Sequence, residues 1–165
     1  MFSSWLYAPD RMEWVKNPQK RPQGCVFCRI GKSARPQQHF ILKKGGGFFV
    51  VMNIYPYNTG HLQVIPLRHV RGFEELSEKE VAGMFSLVRK CMMLLRKVLG
   101  PIGFNVGFNQ GGSISGASIE HLHVHIVPRF RTDFGFMDVI GGTKVLPEEL
   151  GKTYKRLMKE VRMLE

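Results

Sequence analysis

The stretch His121-Leu122-His123-Val124-His125-Ile126-Val127-Pro128-Arg129 decides how the rest of the chain is read. Three histidines alternate with apolar residues, and the run then closes on a proline and an arginine. Strict alternation is the period of a half-buried β-strand, whose successive side chains point to opposite faces. Leu122, Val124 and Ile126 are expected to enter the core, with His121, His123 and His125 lining the other face. At roughly 3.3 Å rise per residue, alternate imidazoles start about 6–7 Å apart. That is close enough for all three to act on one small ligand, zinc and phosphate being the first candidates. A lone strand histidine is most simply a hydrogen-bonded core or surface residue. Three on one face are different, because imidazole is costly to bury without partners.

At 165 residues the chain reads as one domain, large enough to bury a proper core. Hydrophobic residues at 44% and charged residues at 22% are ordinary for a globular protein and argue against disorder. No apolar run approaches the ~18–20 residues needed to span a bilayer, and the N-terminus lacks a signal-peptide layout. A cytoplasmic protein with no membrane partner is the expectation. Three cysteines, two of them in Cys25-Val26-Phe27-Cys28, suggest metal or redox chemistry rather than a disulfide framework. The net charge of +11 favours polyanionic ligands such as nucleotide polyphosphates. The basic residues are scattered and no nucleic-acid motif accompanies them, so nucleic acid is not the expected partner.

Working outward, Gly103-Phe104-Asn105-Val106-Gly107-Phe108-Asn109 alternates again and is predicted to pair with the histidine strand. Leu62 to Pro66 is a short strand closing at proline, preceded by the loop Asn53 to His61. A strand around His39 to Leu42, the turn Gly45-Gly46-Gly47 and the apolar run Phe48 to Met52 read as a hairpin. The triple glycine is a turn and not a phosphate loop, since a strand and not a helix follows it. Ser77 and Glu80 have capping-box spacing ahead of a long helix. Its stripe runs through Val81, Met84, Phe85, Val88, Met92, Leu95 and Val98, and Gly100-Pro101 stops it. Cys91 is expected to be a packing residue. Pro147-Glu148-Glu149 opens a last helix with stripe Leu150, Leu157, Met158, Val161 and Leu164. A strand-rich middle with two separated helices agrees with an α+β fold. Residues 1–24, rich in aromatics and prolines, are expected to form an arm packing on the domain or on a partner subunit. Residues 25–165 make up the single domain, including the C-terminal helix.

The motif His-apolar-His-apolar-His followed by two apolar residues resembles the signature of the histidine triad superfamily of nucleotide hydrolases and transferases. The segment from Gly60-His61 through Leu62 to Pro66 and on to His69 is similar to a second family block. Trp5-x-x-Ala8-Pro9-x-Arg11 and the tail Val139 to Pro147 resemble the diadenosine tetraphosphate phosphorylase-like, fragile-histidine-triad-like branch. The resemblance implies an α+β fold with an antiparallel sheet of about five strands and two main helices, commonly homodimeric, and a purine mono- or dinucleotide ligand. It implies that His123 is the nucleophile and that His125 and His61 hydrogen-bond phosphate oxygens. His121 would orient His123 or bind zinc. Asn53 would hold the ribose hydroxyls, although a turn cap is the simpler reading of its residue type. Asn109, Gly116 and Ser118 match phosphate-contacting positions. Ala117 departs from the Gln that many members carry, so that side-chain phosphate contact is either lost or supplied elsewhere, with Ser113 and Ser115 as the candidates. Arg129 and Arg131 stand where a polyphosphate can lie, with solvated strand-end charges as the alternative.

Cys25-x-x-Cys28 alone offers two of the four donors a structural zinc needs, a redox pair being the rival. The resemblance supplies the others, giving Cys25, Cys28, His69 and His121 as a structural zinc set, with no cofactor needed for the chemistry. The activity implied is cleavage of dinucleoside polyphosphates through a nucleotidyl-histidine, by hydrolysis or phosphorolysis. The alternatives are a nucleoside phosphoramidate hydrolase and a non-catalytic nucleotide-sensing or RNA-associated binding protein.

Overall fold

The apolar runs Phe48–Met52 and Leu62–Pro66 are short, and each becomes a strand whose two faces are covered by different layers. The computed structural model describes residues 24–115, 119–131, 133 and 146–165. The arm and most of the Val139–Pro147 tail lie outside the described residues, as do Gly116, Ala117 and Ser118. Strands β1 (Ile41–Gly45), β2 (Phe48–Met52), β3 (Leu62–Pro66), β4 (Gly103–Gly107) and β5 (Val124–Arg129) form one antiparallel sheet in the order β1-β2-β3-β5-β4. β2 and β3 are apolar at nearly every position and buried throughout, as strands covered on both faces must be.

Alternation sorts the side chains between the layers. Phe48, Val50, Met52, Leu62, Val64, Val124 and Ile126 join the main core under helices α2 (Glu78–Leu99) and α3 (Leu150–Met158). Ile41, Phe49, Val51 and Ile65 form a smaller core on the opposite face, closed by Phe27 of the short helix α1 (Val26–Lys32). The histidines belong to this second face. Their strand is shorter than alternation suggested: β5 starts at Val124, because Leu122 N–H is bonded to Val70 O (2.8 Å) and not to a sheet neighbour. His121, Leu122 and His123 are all buried, with Leu122 in the main core.

The capping box forms as its spacing requires. Glu80 N–H donates to Ser77 Oγ and Ser77 N–H to Glu80 Oε2, and Gly100 closes α2 at φ +65°. Met84, Val88, Cys91, Leu94 and Leu95 are its buried face, and Cys91 packs as a small apolar residue. Phe85, placed on the stripe by its spacing, is 45% exposed at the flank. The strand expected around His39 begins only at Ile41, because Pro36–His39 form a 3-10 turn that ends on Phe40 at φ 55°. No described helix is long and apolar enough to cross a membrane.

Gly60 is one position where only glycine serves. Its φ is +82°, and a Cβ there would lie 2.4 Å from Leu99 Cδ1 and 3.1 Å from Leu95 Cδ2. Gly60→Ala is expected to cost about 1–3 kcal/mol of stability from backbone strain and crowding. Thermal unfolding checks this, and an unchanged Tm would contradict it.

Candidate active site

Three short segments meet on the second face of the sheet. The loop between β2 and β3 delivers His61, the lead into β5 delivers His121 and His123, and β5 itself delivers His125. The loop is pinned by Asn58, whose Nδ2 donates to Pro128 O (2.9 Å) and to Asp133 Oδ1 (2.6 Å). Both Asn58 and Asp133 are buried. Turn-like composition marks Asn58 as a loop residue but carries no sign of this long-range partner.

The hydrogen bonds determine which nitrogen of each imidazole carries a proton, because a carbonyl can only accept and a backbone N–H can only donate. His123 Nδ1 lies 2.7 Å from its neighbour's carbonyl, His121 O, so Nδ1 holds the proton and Nε2 keeps a lone pair. His61 Nδ1 accepts from Tyr57 N–H (3.2 Å), so its proton sits on Nε2 and is donated to His125 Nδ1 at 2.9 Å. His125 therefore carries its own proton on Nε2. One imidazole presents a lone pair and its neighbour presents a donor, with ring centroids 4.7 Å apart.

Burial keeps His61 and His123 neutral. His61, fully buried, is pushed down to about 3 by loss of solvent and then by His125 and His123. His123, 6% exposed, is lowered for the first of these reasons, partly offset by its bond to His121 O. Tyr57 stacks on His61 (5.0 Å, 27°), and Gln63 of β3 lies beside His125. Sequence reasoning did not single out either residue for the site. Gln63 is the one polar residue in an apolar strand, and that was the available signal.

A cavity of about 510 Å³ opens in front of His123 and His125. Phe27 and Ile30 of α1, Phe40 and Val51 give it apolar walls, while Asn53, Gln63 and Asn109 contribute polar groups. The volume and the mixture of apolar walls with few polar groups suit a small organic ligand. Asn53 lines this cavity and is also a turn cap, with Tyr55 N–H donating to its Oδ1 (3.0 Å). His61, expected beside the phosphates, has no exposed surface and both its nitrogens are engaged within the protein, which places it behind His125 and not in the cavity wall. Arg129 is not brought into the cavity either. Its guanidinium donates to Asp133 and to Asn105 Oδ1 (2.8 Å) further along the sheet. Ser115 Oγ is bonded to Gly112 O within its own turn, and Gly116 and Ser118 fall outside the described residues.

His121 turns away from the cavity. Its Nε2–H donates to Pro66 O (3.0 Å), leaving the Nδ1 lone pair directed at Cys25 Sγ (3.2 Å) and Cys28 Sγ (3.6 Å). His69 Nδ1 lies 3.3 Å from Cys28 Sγ, and one donor atom from each of the four residues falls within 4.8 Å of the others. Donors on a tetrahedron with bonds of about 2.0–2.3 Å are about 3.3–3.8 Å apart, so this set fits zinc in size and in chemistry. Burial and the adjacent Cys25 push the Cys28 thiol up, a crowding that a divalent cation would relieve. Cys25, Cys28, His69 and His121 could thus hold a metal ion, as the spacing and resemblance anticipated.

This is an α+β protein with a cavity lined by the buried, neutral imidazole of His123. Residues 35–132 match the HIT domain family. The chain is 38% identical to the AP-4-A phosphorylase of Mycobacterium tuberculosis, over 94% of this chain and 83% of that protein. It is 30% identical to an adenosine 5'-monophosphoramidase of Schizosaccharomyces pombe, over 76% of this chain and 90% of that one. Its fold matches the crystal structure of a zinc-bound histidine triad family protein from Mycobacterium smegmatis with a TM-score of 0.69 at 25% identity, covering 86% and 95% of the two chains. The chain belongs to the HIT family and is a nucleotide-processing enzyme.

Two outcomes are expected. Zinc added to the purified chain binds at one equivalent and raises Tm, whereas Cys28→Ser removes both effects; metal analysis and thermal unfolding check this. Stability falls as pH drops below about 6.5, because unfolded histidines take up protons that folded His61 and His123 refuse. The slope is about 1.4 kcal/mol per pH unit for each such group. Denaturant unfolding between pH 7 and 5 measures it, and a flat profile would contradict the buried-neutral assignment.

Proposed function

We propose that the protein cleaves dinucleoside polyphosphates at the α-phosphate through a nucleotidyl-His123 intermediate, with inorganic phosphate as the acceptor. The observation that carries this is the fixed tautomer of His123, which leaves the lone pair on Nε2 of a ring that lines a nucleotide-sized cavity. In the first step Nε2 bonds to the α-phosphorus and the anhydride P–O bond breaks. The proton stays on Nδ1, which donates to the His121 carbonyl, and that hydrogen bond steadies the imidazolium formed. His125 Nε2–H donates to the phosphoryl oxygens, held in that tautomer by His61. In the second step an oxygen of phosphate attacks the same phosphorus, the P–N bond breaks and His123 returns to its starting state. Diadenosine tetraphosphate would give ATP and then ADP; water as acceptor would give AMP instead.

The base would lie between the apolar walls of the cavity, with Asn53 placed for the ribose. The likeness to a phosphorylase over most of the chain favours phosphate as acceptor, and the likeness to a phosphoramidase makes P–N substrates the second reading. The reading also includes a homodimer, for which β4, at one end of the sheet, offers a surface with Val106 and, just beyond the strand, Phe108 each 40% exposed.

Incubation with diadenosine tetraphosphate, with and without phosphate, followed by anion-exchange chromatography tests the proposal. Phosphate-dependent ATP plus ADP is expected, and His123→Ala is expected to lose on the order of 10³-fold or more of the rate. Turnover of nucleoside phosphoramidates alone would replace it with the second reading.

A further inference from the structure

We propose that the Cys25, Cys28, His69 and His121 cluster controls nucleotide binding, and that Phe27 is the positioning residue that carries its state to His123. The inference rests on the reading that the nucleotide occupies the cavity beside His123. Its basis is that one seven-residue helix serves two sites at once. α1 and its N-cap supply both thiols, and α1 also supplies Val26, Phe27, Arg29 and Ile30 to the cavity wall.

A helix this short is marginal by itself and depends on what holds its ends. At the C-terminal end Lys44 Nζ donates to Gly31 O (3.1 Å) and Ser33 O (2.7 Å), and Gly31 packs on the Phe49 ring. The N-terminal end has no side-chain cap and no acidic residue in its first turn. There, the Cys25 and Cys28 side chains face His121 and His69 from the body of the protein. Phe27, between the two cysteines, sets its ring edge-on to His121 (5.8 Å, 83°) and to His123 (5.0 Å, 63°). Drawing the four donors onto one divalent cation fixes the first turn of α1 and the ring of His121 together. Both hold Phe27 against the nucleophile, and both hold the wall on which the base packs.

The helix thus has a docked and a released arrangement, and metal and nucleotide each favour the docked one. Two ligands that bias one element are linked, and each must raise the other's affinity by the same factor.

The test uses the full chain, loaded with zinc or stripped with a chelator, and AMP as the probe, so that it is independent of turnover. Calorimetry is expected to show AMP binding about tenfold tighter with zinc, and zinc binding tighter by the same factor with AMP. Amide exchange over residues 26–32 is expected to slow with either ligand and most with both. Phe27→Leu should keep its zinc but lose most of the linkage. Cys28→Ser, with folding verified by thermal unfolding, should bind AMP like the stripped protein whether or not zinc is present. Equal AMP affinity with and without zinc, absence of zinc binding, or unchanged exchange at 26–32 would overturn the proposal. Full linkage in Phe27→Leu would overturn the role of that ring. A chain that shows the linkage but cleaves no dinucleotide would overturn the proposed function alone.

Discussion

The hydrogen bond from His123 Nδ1–H to the carbonyl of His121 is the constraint on which the site depends. It is local, joining residues two apart, and so survives small movements of the surrounding loops. It makes one nitrogen a permanent donor and the other a permanent lone pair. Burial then keeps the ring neutral, the state in which that lone pair is nucleophilic. A solvent-exposed histidine with the same neighbours would lose this selection, because water competes for both nitrogens.

The same residue links two kinds of chemistry. The backbone of His121 orients the His123 ring, while its own ring, anchored on Pro66 O, faces two thiols. A parallel arrangement holds His125, whose tautomer is set by His61 and ultimately by the backbone of Tyr57. Both rings at the cavity are thus controlled from main-chain groups, which are the least mobile donors and acceptors available. The sheet provides the rigidity: Val124 and Ile126 lock β5 into the main core, and the alternation then directs His125 to the other face.

Much of this was legible because it rests on periodicity and on caps. The Leu122, Val124 and Ile126 face, the Ser77–Glu80 box and the β4–β5 pairing each follow from a local pattern with one physical solution. Helix α1 was not legible, since Val26-Phe27-Cys28-Arg29-Ile30 is too short to show a helical period and lacks a capping side chain. Its importance comes from Phe27, whose neighbours Ile41, Phe49, Val51 and Ile65 are distant in sequence. The engagement of Arg129 by Asn105 and Asp133, and of Asn58 by Asp133, is likewise a product of tertiary contact. His61 was recognised as a site residue, but only packing shows that it lies behind His125 and not beside the cavity. The zinc set combines both cases: the Cys25–Cys28 spacing is local, whereas His69 and His121 join it through the fold.

The central claim is that His123 Nε2 attacks phosphorus. Mixing the enzyme with diadenosine tetraphosphate in the absence of phosphate, quenching within milliseconds to seconds at alkaline pH and mapping peptides by mass spectrometry tests it directly. The account predicts an adenylyl group on His123, labile to acid and discharged when phosphate is added before the quench. An adduct on another residue, or ATP release at full rate with no adduct at all, would contradict it.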